Sequence, residues 1–453
     1  MFVAMSPMAN TENENMEKNC ENASNIVSTQ PEQSQFASAP PNDRLSMDQL
    51  PLEILLQIFN FLDPHFLSKT LTRVCVRFAS ILHDELFWKK KLTNIIISRH
   101  LNGNEVELRN PYTIGLQKPH WLSGRNILWR DLAVNFSLLE QKWHVHKAQI
   151  RTQNFHQPHF APVDTVKILL GGTAVVSGGR DRMVNLWKIN SETLHLEAIY
   201  SANRSHTGWI WDVDCYEPDT FFTSSWDNNV VHWASERLQR LSTFNCGKPV
   251  MAVSSTRGLV AAGLHTPRIV LLDPRIGVSQ HNPISSISFE LHSHTVTDVL
   301  LLPDRNLLLS TSEDKTLRFF DTRFHKQCYN AITISRDNSF PRCIGFYKEL
   351  IYIGDSRGNI HMSSVGADVS DNITFNIGTT RLITSVVPHT SGVTVGSIDR
   401  HIRIINTCTT TPPVVIWDKE VAGQVSSVDH QKDLIVASSA MGSVTLFKAV
   451  SLF

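Results

Sequence analysis

The sequence predicts an all-β seven-bladed propeller, preceded by a small all-α module and a helical linker. Two observations carry this prediction. A hairpin pattern recurs from about residue 144 onward. In this pattern a small or hydroxyl residue stands four places before a turn residue, and a large apolar residue stands six places after it. Upstream, a segment ending near Leu67 is apolar on almost every helical face. With 42% hydrophobic and 19% charged residues, the 453-residue chain can bury a sizeable core.

Residues 1–45 are rich in Asn, Glu, Ser, Gln and Pro and poor in aromatic residues. Such a segment cannot bury enough apolar area to offset the entropy lost on ordering, so a disordered tail is expected. Its start lacks the basic and apolar regions of a signal peptide. Because no apolar run in the chain approaches the roughly 18 residues needed to span a bilayer, no membrane partner is expected.

Residues 46–92 predict the helical module. Pro51 suits the first turn of a helix and Pro64 follows its end, and only Glu53, Gln57 and Asn60 are polar between them. A second helical pattern follows, with apolar residues at Leu67, Leu71, Val74, Phe78 and Leu82. A module of roughly 45 residues is too small to cover the first helix completely. An apolar face is therefore left for a partner, or alternatively for the propeller.

Residues 93–143 predict a helical linker. Its last part is an amphipathic helix, because apolar residues recur at spacings of three and four: Leu128, Leu132, Phe136, Leu139 and Trp143.

Residues 144–453 predict the propeller. The hairpin pattern has seven turn centres, at residues 181, 227, 265, 314, 357, 399 and 441, with the third expected to have one extra turn residue. A period of about 40 to 45 residues, with four strands in each unit, is typical of a β-propeller. The last unit has too little chain after it for a fourth strand. We therefore expect residues 145–155 to complete the seventh blade and close the ring.

The repeat resembles the WD-repeat family. A histidine precedes apolar residues by four, seven and nine places at His159, His206 and His292. The resemblance implies a hydrogen-bonded set within each complete blade: His159, Ser177, Asp181 and Trp187 in blade 1, and His206, Thr223, Asp227 and Trp233 in blade 2. Blades 3, 5 and 7 lack the aspartate, and there apolar packing is expected to substitute for the polar set.

The helical module resembles the F-box motif over about 40 residues, and shorter strings such as "GWIWDVD" resemble one subfamily of F-box and WD-repeat proteins. The resemblance implies binding to the Skp-type adaptor of cullin–RING ubiquitin ligases and a linker that spaces the two ends rigidly. The residues expected to bind the adaptor are Leu50, Pro51, Ile54, Leu55, Ile58, Phe59, Leu62 and Trp88.

Partners of WD propellers commonly dock on the face that bears the aspartate turns. The position just before each aspartate is occupied by Arg180, Trp226, Leu264, Glu313, Ser356, Ile398 and Ala440. The position before the first apolar residue of each repeat is occupied by Pro162, Trp209, Pro249, Thr295, Phe340, Leu382 and Gln424. We expect a target protein to bind Arg180, Trp209, Trp226, Phe340 and Leu382 through a largely apolar motif, independently of phosphorylation, with Arg180 pairing one carboxylate. The alternative is that both tryptophans pack against neighbouring loops.

Several other site classes are not expected. The Ser, His and Asp of each set recur from blade to blade and lack a G-x-S-x-G elbow, so no catalytic residue is assigned. No metal is assigned to His144, His146, His156 and His159, because no nearby cysteine or carboxylate completes a set of ligands. The sequence contains no phosphate-binding loop, so no nucleotide or other cofactor is expected. Lys plus Arg and Asp plus Glu are 42 each, which gives no general attraction to nucleic acid. The seven cysteines contain no CxxC pair and are expected to be reduced.

These observations predict a non-enzymatic substrate-recognition subunit of an SCF-type ubiquitin ligase. Its F-box would bind the Skp-type adaptor and through it the cullin, and its propeller would bind the target protein, in the cytoplasm, the nucleus or both. The alternative is a WD-repeat scaffold or assembly protein without a role in ubiquitin transfer. An enzyme built on the propeller is a third possibility.

Overall fold

The computed structural model describes residues 47–101, 129–143, 149–155, 159–190, 192–275, 286–335, 338–347, 350–365, 373–389, 392–406 and 413–450. The expected disordered tail and residues 102–128 of the expected linker lie outside the described residues. Met1–Leu50 forms a separate N-terminal unit, of which the described part contains a 3₁₀ turn at Met47–Gln49. All other elements belong to the second unit, Pro51–Phe453.

The second unit begins with four helices and a short 3₁₀ turn. They are α1 (Leu52–Phe61), α2 (Pro64–Lys69), the 3₁₀ turn Leu71–Arg73, α3 (Val76–Leu82) and α4 (Glu85–Leu101). The continuous apolar pattern from Leu67 to Leu82 thus forms three short elements instead of one helix. The break falls at Cys75, whose backbone is extended and whose Sγ accepts a hydrogen bond from the backbone N–H of Phe78 at 3.4 Å. This side-chain cap begins α3 as a new helix.

Helix α5 (Trp129–Trp143) follows, and Phe136, Leu139 and Trp143 are buried as the periodicity predicts. Helix α4 runs through residue 92, where the sequence placed the boundary between module and linker.

The rest of the described chain forms seven antiparallel sheets, each built mainly from four consecutive strands. The predicted seven-bladed propeller is therefore confirmed, and all seven predicted turns lie between the second and third strands of their blades. The first strand, β1 (Gln149–Phe155), belongs to the last blade. Blade 1 contains β2 (Val163–Leu169), β3 (Ala174–Gly179), β4 (Val184–Ile189) and β5 (Leu196–Ala202). Blade 2 contains β6 (Ile210–Asp214), β7 (Thr220–Ser225), β8 (Asn229–Ala234) and β9 (Gln239–Asn245). Blade 3 contains β10 (Val250–Ser255), β11 (Val260–Leu264), β12 (Arg268–Leu272) and β13 (Ser286–Glu290).

Blade 4 differs because its outer edge is formed by two short strands that both pair with β16. Blade 4 contains β14 (Val296–Leu302), β15 (Leu307–Ser312), β16 (Thr316–Asp321), β17 (Lys326–Gln327) and β18 (Ile332–Thr333). Blade 5 contains β19 (Pro341–Tyr347), β20 (Leu350–Asp355), β21 (Asn359–Ser364) and β22 (Ile373–Asn376). Blade 6 contains β23 (Ile383–His389), β24 (Gly392–Ser397), β25 (His401–Asn406) and β26 (Val414–Glu420). Blade 7 contains β27 (Val425–Gln431), β28 (Leu434–Ser439) and β29 (Val444–Val450), together with β1.

The ring closes as predicted. Strand β1 pairs antiparallel with β29, from Gln149 opposite Val450 to Phe155 opposite Val444, and the order of this sheet is β1-β29-β28-β27. The N-terminal strand therefore supplies the outer strand of blade 7 and covers an edge that would otherwise be unpaired.

Apolar clusters fill the spaces between neighbouring blades, and the innermost strand of every blade lines a central channel. The aspartate turns and the loops that lead into the innermost strands meet at one rim of this channel. At this rim, a backbone hydrogen bond joins the two in every blade, as in Arg180 N–H to Pro162 O and Trp226 N–H to Trp209 O, both 2.9 Å.

Candidate functional site

The polar set of blade 2 forms one continuous hydrogen-bonded chain. Trp233 Nε1 donates to Thr223 Oγ1 at 2.9 Å, and the same hydroxyl is hydrogen-bonded to His206 Nε2 at 2.8 Å. His206 Nδ1 then donates to Asp227 Oδ2 at 3.0 Å. Although burial opposes ionisation, the hydrogen bonds from His206 and from backbone N–H groups hold the pKa of Asp227 well below its usual range. The side chains predicted for this set are thus brought together.

Blade 1 repeats this chain with a serine, which allows the catalytic alternative to be judged. His159 lies 2.8 Å from both Asp181 Oδ2 and Ser177 Oγ, as in a serine hydrolase triad. However, Ser177 is fully buried, and its oxygen accepts a hydrogen bond from Trp187 Nε1 at 2.7 Å. A substrate cannot reach a nucleophile that is enclosed in this way, which argues against a catalytic role for Ser177. The hydrogen bonds of the set instead stabilise the blade.

Blade 5 contains a polar set that the sequence pattern missed. Asp355, two residues before the predicted turn centre, accepts hydrogen bonds from His361 Nε2 at 3.2 Å and from Asn359 at 2.8 Å. His361 Nδ1 lies 2.8 Å from Thr374 Oγ1. The expectation that apolar packing substitutes for a polar set in blade 5 is therefore wrong. The signal was present as an aspartate and a histidine six residues apart, but at a different register from the other blades.

The described residues contain no group of three or more His, Cys, Asp or Glu side chains arranged to hold a metal ion. Of the four histidines considered for metal binding, His159 belongs to the blade 1 set, and His144, His146 and His156 lie outside the described residues. The cysteines that the structure describes are free thiols.

Helix α1 has two apolar stripes with different surroundings. Leu55 and Phe59 are fully buried, and the Phe59 ring packs edge-on against Phe78 at 5.3 Å and Phe87 at 6.4 Å. Trp88 is also fully buried, and its Nε1 donates to Leu82 O at 2.8 Å. The expectation that Leu55, Phe59 and Trp88 present themselves to the adaptor is therefore corrected: they form the core of the module.

The second stripe of α1 faces outward. Ile54 is 41% exposed and Phe61 is 91% exposed, while Ile58, between them on the same face, is half-buried. Pro51 is exposed, and Leu50 and Leu62 are half-buried. Sequence reasoning did not select several other exposed apolar residues of this module. Together with Ile54 and Phe61 they form what we name the module surface: Leu52, Phe66, Val74, Val76 and Leu86.

A buried lysine fixes the C-terminal end of α1. Lys91 Nζ donates to the carbonyl oxygens of Phe59 at 2.9 Å and Asn60 at 3.0 Å. Burial lowers the pKa of Lys91 to about 8, against the opposing influence of the Asp63 carboxylate. Because the lysine satisfies carbonyls that the helix leaves unpaired, it holds α1 in place against α4.

Helix α5 connects the module to the propeller. On the module side, Asp63 accepts hydrogen bonds from Ser137 Oγ at 2.6 Å and Gln141 Nε2 at 2.7 Å. On the propeller side, the fully buried Trp143 ring packs against Trp417 of β26 and His430 of β27, both at 5.4 Å between centroids. Lys142 Nζ also lies 2.7 Å from Asp433. Such a buried aromatic contact favours one orientation of α5 on blades 6 and 7.

Exposed aromatic side chains are grouped at the rim of blades 1 to 3. Trp209 is 44% exposed and Trp226 is 40% exposed, and their ring centroids are 6.5 Å apart. Trp226 also contacts Trp211 at 6.1 Å and His265 at 4.9 Å. We name these four residues the rim cluster. The two predicted tryptophans thus pack against neighbours, as the alternative required, and still expose a large part of their surface.

Arg180 is part of this surface but has an internal partner. Its Nε lies 3.1 Å from Asp164 Oδ2, and its guanidinium carbon lies 5.1 Å from the centre of the Trp209 ring. The expected role of Arg180, pairing a carboxylate of the target, is revised, because Asp164 already fills that role. The guanidinium carbon of Arg342 lies 6.0 Å from the centre of the Trp211 ring.

Three further expectations concern other blades. Phe340 and Leu382 are half-buried at the same rim, in blades 5 and 6, where their carbonyls accept from Ser356 and Ile398. Leu264 was wrongly assigned to the rim in blade 3: it is buried, and the neighbouring His265 makes the rim hydrogen bond, to Pro249 O at 2.8 Å.

The fold and its surfaces define a class of protein: a seven-bladed propeller that follows a small F-box-like helical module. A family model described as F-box-like matches residues 47–94, and one described as WD domain, G-beta repeat, matches residues 280–321. This combination is typical of substrate adaptors of the F-box type. None of the described helices is both long and apolar enough to cross a membrane.

Two curated relatives combine the F-box and the WD repeat in their names. The chain is 24% identical to F-box/WD repeat-containing protein 9 of Bos taurus, over 88% of this chain and 82% of that protein. It is 24% identical to F-box/WD repeat-containing protein mec-15 of Caenorhabditis elegans, over 64% of this chain and 67% of that protein. A ribosome biogenesis protein WDR12 homolog of Arabidopsis thaliana is 27% identical over a shorter part, 28% of this chain and 35% of that protein.

Proposed function

We propose that the chain is the substrate-recognition subunit of an SCF-type ubiquitin ligase. The module surface binds a Skp-type adaptor, which connects the chain to a cullin, and the rim cluster binds the protein to be ubiquitinated. The chain itself supplies no chemical group to the transfer. It contributes by holding the target near the ligase, which raises the effective concentration of the reacting groups.

The module surface is the observation that carries this proposal. Its apolar side chains remain exposed although the module has a complete core of its own, in which Leu55, Phe59 and Trp88 are fully buried. Several large apolar side chains left exposed on a small module mark a protein-binding site. The match of residues 47–94 to the F-box-like family supports an adaptor of the Skp type as the partner.

The attachment of α5 supports a role in orientation. Asp63 fixes the C-terminal half of α5, at Ser137 and Gln141, to the start of α2, and Trp143 fixes the end of the same helix to blades 6 and 7, so α5 is held to both the module and the propeller. A target bound at the rim would then keep a defined orientation relative to the adaptor. For ubiquitin transfer, such a fixed geometry is more useful than a free tether.

The test is to replace Ile54→Asp together with Phe61→Asp and to measure adaptor binding with the purified chain. Both side chains are exposed, so the fold is expected to survive, and two carboxylates in an apolar interface are expected to weaken binding roughly a hundredfold or more. Phe324→Asp is the matched control, because Phe324 is 65% exposed on blade 4. We expect it to leave adaptor binding unchanged.

Failure of the wild-type chain to bind the adaptor, or unchanged binding by the double variant, would contradict the proposal. The scaffold alternative would gain from the first result, since several WD-repeat relatives carry names from other assemblies. The ubiquitin-transfer part needs one further measurement: reconstituted ligase must modify a captured target, and the double variant must lose this activity.

A further inference from the structure

We propose that the pocket beside the rim cluster recognises a large apolar side chain followed or preceded closely by a carboxylate, which Arg182 binds. This deepens the proposed function and rests on it, because it names the chemistry of the target segment. The pocket lies between blades 1 and 2 and is lined by Arg180, Arg182, Thr207, Gly208, Trp209 and Trp226.

The two arginines of this pocket differ in their charge balance. Asp164 neutralises Arg180 at 3.1 Å, and Trp209 stacks on its guanidinium. Arg182 is exposed, and in the part of the chain that the structure describes no acidic side chain pairs with it. The pocket therefore offers one uncompensated positive charge. One guanidinium suits one carboxylate, whereas recognition of a dianionic phosphate is favoured by several free arginines.

The backbone position of Arg182 places its side chain at the pocket. Arg182 has φ 66°, a left-handed conformation in which Gly or Asn costs least. The corresponding turn residues of blades 2, 4, 5, 6 and 7 are Asn228, Lys315, Gly358, Arg400 and Gly442, so a long basic side chain occurs at this position in three blades. Of these three, Arg182 lines the pocket beside the rim cluster, whereas Arg400 is paired with Glu420.

The apolar part of the pocket is held in place before any partner arrives. Trp226 is fixed by ring contacts to Trp209, Trp211 and His265. Gly208 brings the loop of Trp209 against the turn of Trp226, because a Cβ atom at Gly208 would lie 2.6 Å from the backbone nitrogen of Asp227. Aromatic side chains that are both exposed and immobilised lose little entropy on binding, which is typical of binding hot spots.

The experiment selects random dodecapeptides displayed on phage against the purified full chain. We expect the enriched peptides to combine Trp, Phe, Tyr or Leu with a nearby Asp or Glu. A synthetic peptide of the enriched sequence should bind Arg182→Gly about tenfold more weakly than wild type, the size expected for a lost charge-assisted hydrogen bond. Replacing the peptide's acidic residue by its amide should cost the wild type a similar factor and cost Arg182→Gly almost nothing.

Two controls make the result specific. Glycine accepts the left-handed conformation, so Arg182→Gly should not lower the melting temperature. Arg400→Gly is the matched control, because Arg400 has φ 75° at the same turn position of blade 6 and is paired with Glu420 at 2.8 Å. It should bind the peptide like wild type, whereas Trp209→Ala with Trp226→Ala should lose binding.

No enrichment, enriched peptides without acidic residues, or equal binding by Arg182→Gly would overturn the inference. So would a phosphoserine peptide that binds much more tightly than its glutamate counterpart, since that result would make the pocket a phosphate reader. Adaptor binding is measured separately on the same variants. If the wild-type chain does not bind the adaptor, that result counts against the proposed function but does not affect the peptide result.

Discussion

Blades 2 and 3 are neighbours with the same four-strand topology, but different chemistry holds them together. Blade 2 has the chain of hydrogen bonds from Trp233 to Asp227. Blade 3 has apolar residues at the corresponding positions. Ala262 replaces Thr223, because it pairs with Val253 as Thr223 pairs with Val213. Leu272 replaces Trp233, because it pairs with Val260 as Trp233 pairs with Phe221. Cys246 stands four residues before the innermost strand, where blade 2 has His206.

All three blade 3 residues belong to one apolar cluster. The propeller therefore does not need the polar set in every blade. What a blade needs is that every polar member of the set has a hydrogen-bond partner, as His292, Ser310 and Asp314 of blade 4 do beside the apolar Phe320. A partly satisfied set is worse than a fully bonded or an apolar one, because each buried group left without a partner loses its hydration and gains nothing.

The largest expected effect is that of Asp227→Ala in blade 2. Asp227 accepts hydrogen bonds from His206, Thr207 N–H and Asn229 N–H, all within 3.0 Å. Its loss leaves these donors unpaired and releases the turn, so the free energy of unfolding should fall by about 3 kcal/mol. Denaturant unfolding measures this loss, and hydrogen exchange should show opening first in β7 and β8.

The comparison with blade 3 supplies the control for this prediction. Cys246→Ala removes one apolar group from a cluster without stranding a polar partner, so it should cost about 1 kcal/mol or less. Equal losses from the two substitutions would show that the polar chain contributes no more than packing.

A smaller effect is expected from coupling within blade 2. Thr223→Val strands both Trp233 Nε1 and His206 Nε2, and His206→Ala strands the hydroxyl of Thr223. Because the double variant removes both members of one hydrogen bond, it should be more stable than the sum of the single losses by about 1 kcal/mol. A double-mutant cycle by denaturant unfolding tests this. Simple additivity would indicate that the chain does not act as a unit.

The repeat predicted the propeller well because each blade must place a turn between its second and third strands. It was misleading by one residue in blade 3, where Leu264 was assigned to the rim in place of His265. The reason lies in the strands: Ala261 and Ala262 satisfy the pattern equally, as do Leu271 and Leu272. Two apolar residues in succession leave the register undetermined, and only the pairing of Ala262 with Val253 and Val270 fixes it.

The candidate sites could be predicted only in part. Periodicity shows that α1 has two apolar stripes, but it does not show which one the module covers. That choice depends on Phe78 and Phe87, which pack on Phe59 and leave Phe61 exposed. Likewise, the sequence identified Arg180 at the rim, but its pairing with Asp164 is a tertiary contact. Arg182, two residues later, was missed because the role proposed for it depends on the direction of the turn.

The smallest expected effect involves Asp298, which lines the channel between blades 4 and 5 and is half-buried there. Its carboxylate accepts from the backbone N–H groups of Ile344 and Val299, both at 2.7 Å. Burial, with the negative charge of Asp212, raises the pKa of Asp298 from 3.8 to about 7, although these two backbone hydrogen bonds and the charge of Arg342 oppose the shift.

The raised pKa fixes the sign of a pH dependence that is opposite to that of the polar sets. Between pH 4 and pH 7 the folded chain keeps a proton on Asp298 that the unfolded chain has released, so stability falls as the pH rises through this range. Asp298→Asn cannot ionise. It should therefore be more stable than wild type at pH 8 and no more stable at pH 4. The difference at pH 8 should be only about 1 kcal/mol, because the channel partly hydrates the carboxylate. For Asp355, whose pKa is lowered to about 2, the asparagine variant should instead lose stability at pH 8. Denaturant unfolding at pH 4, 6 and 8 separates the two cases, and a difference between Asp298→Asn and wild type that stays constant with pH would contradict this account of the channel.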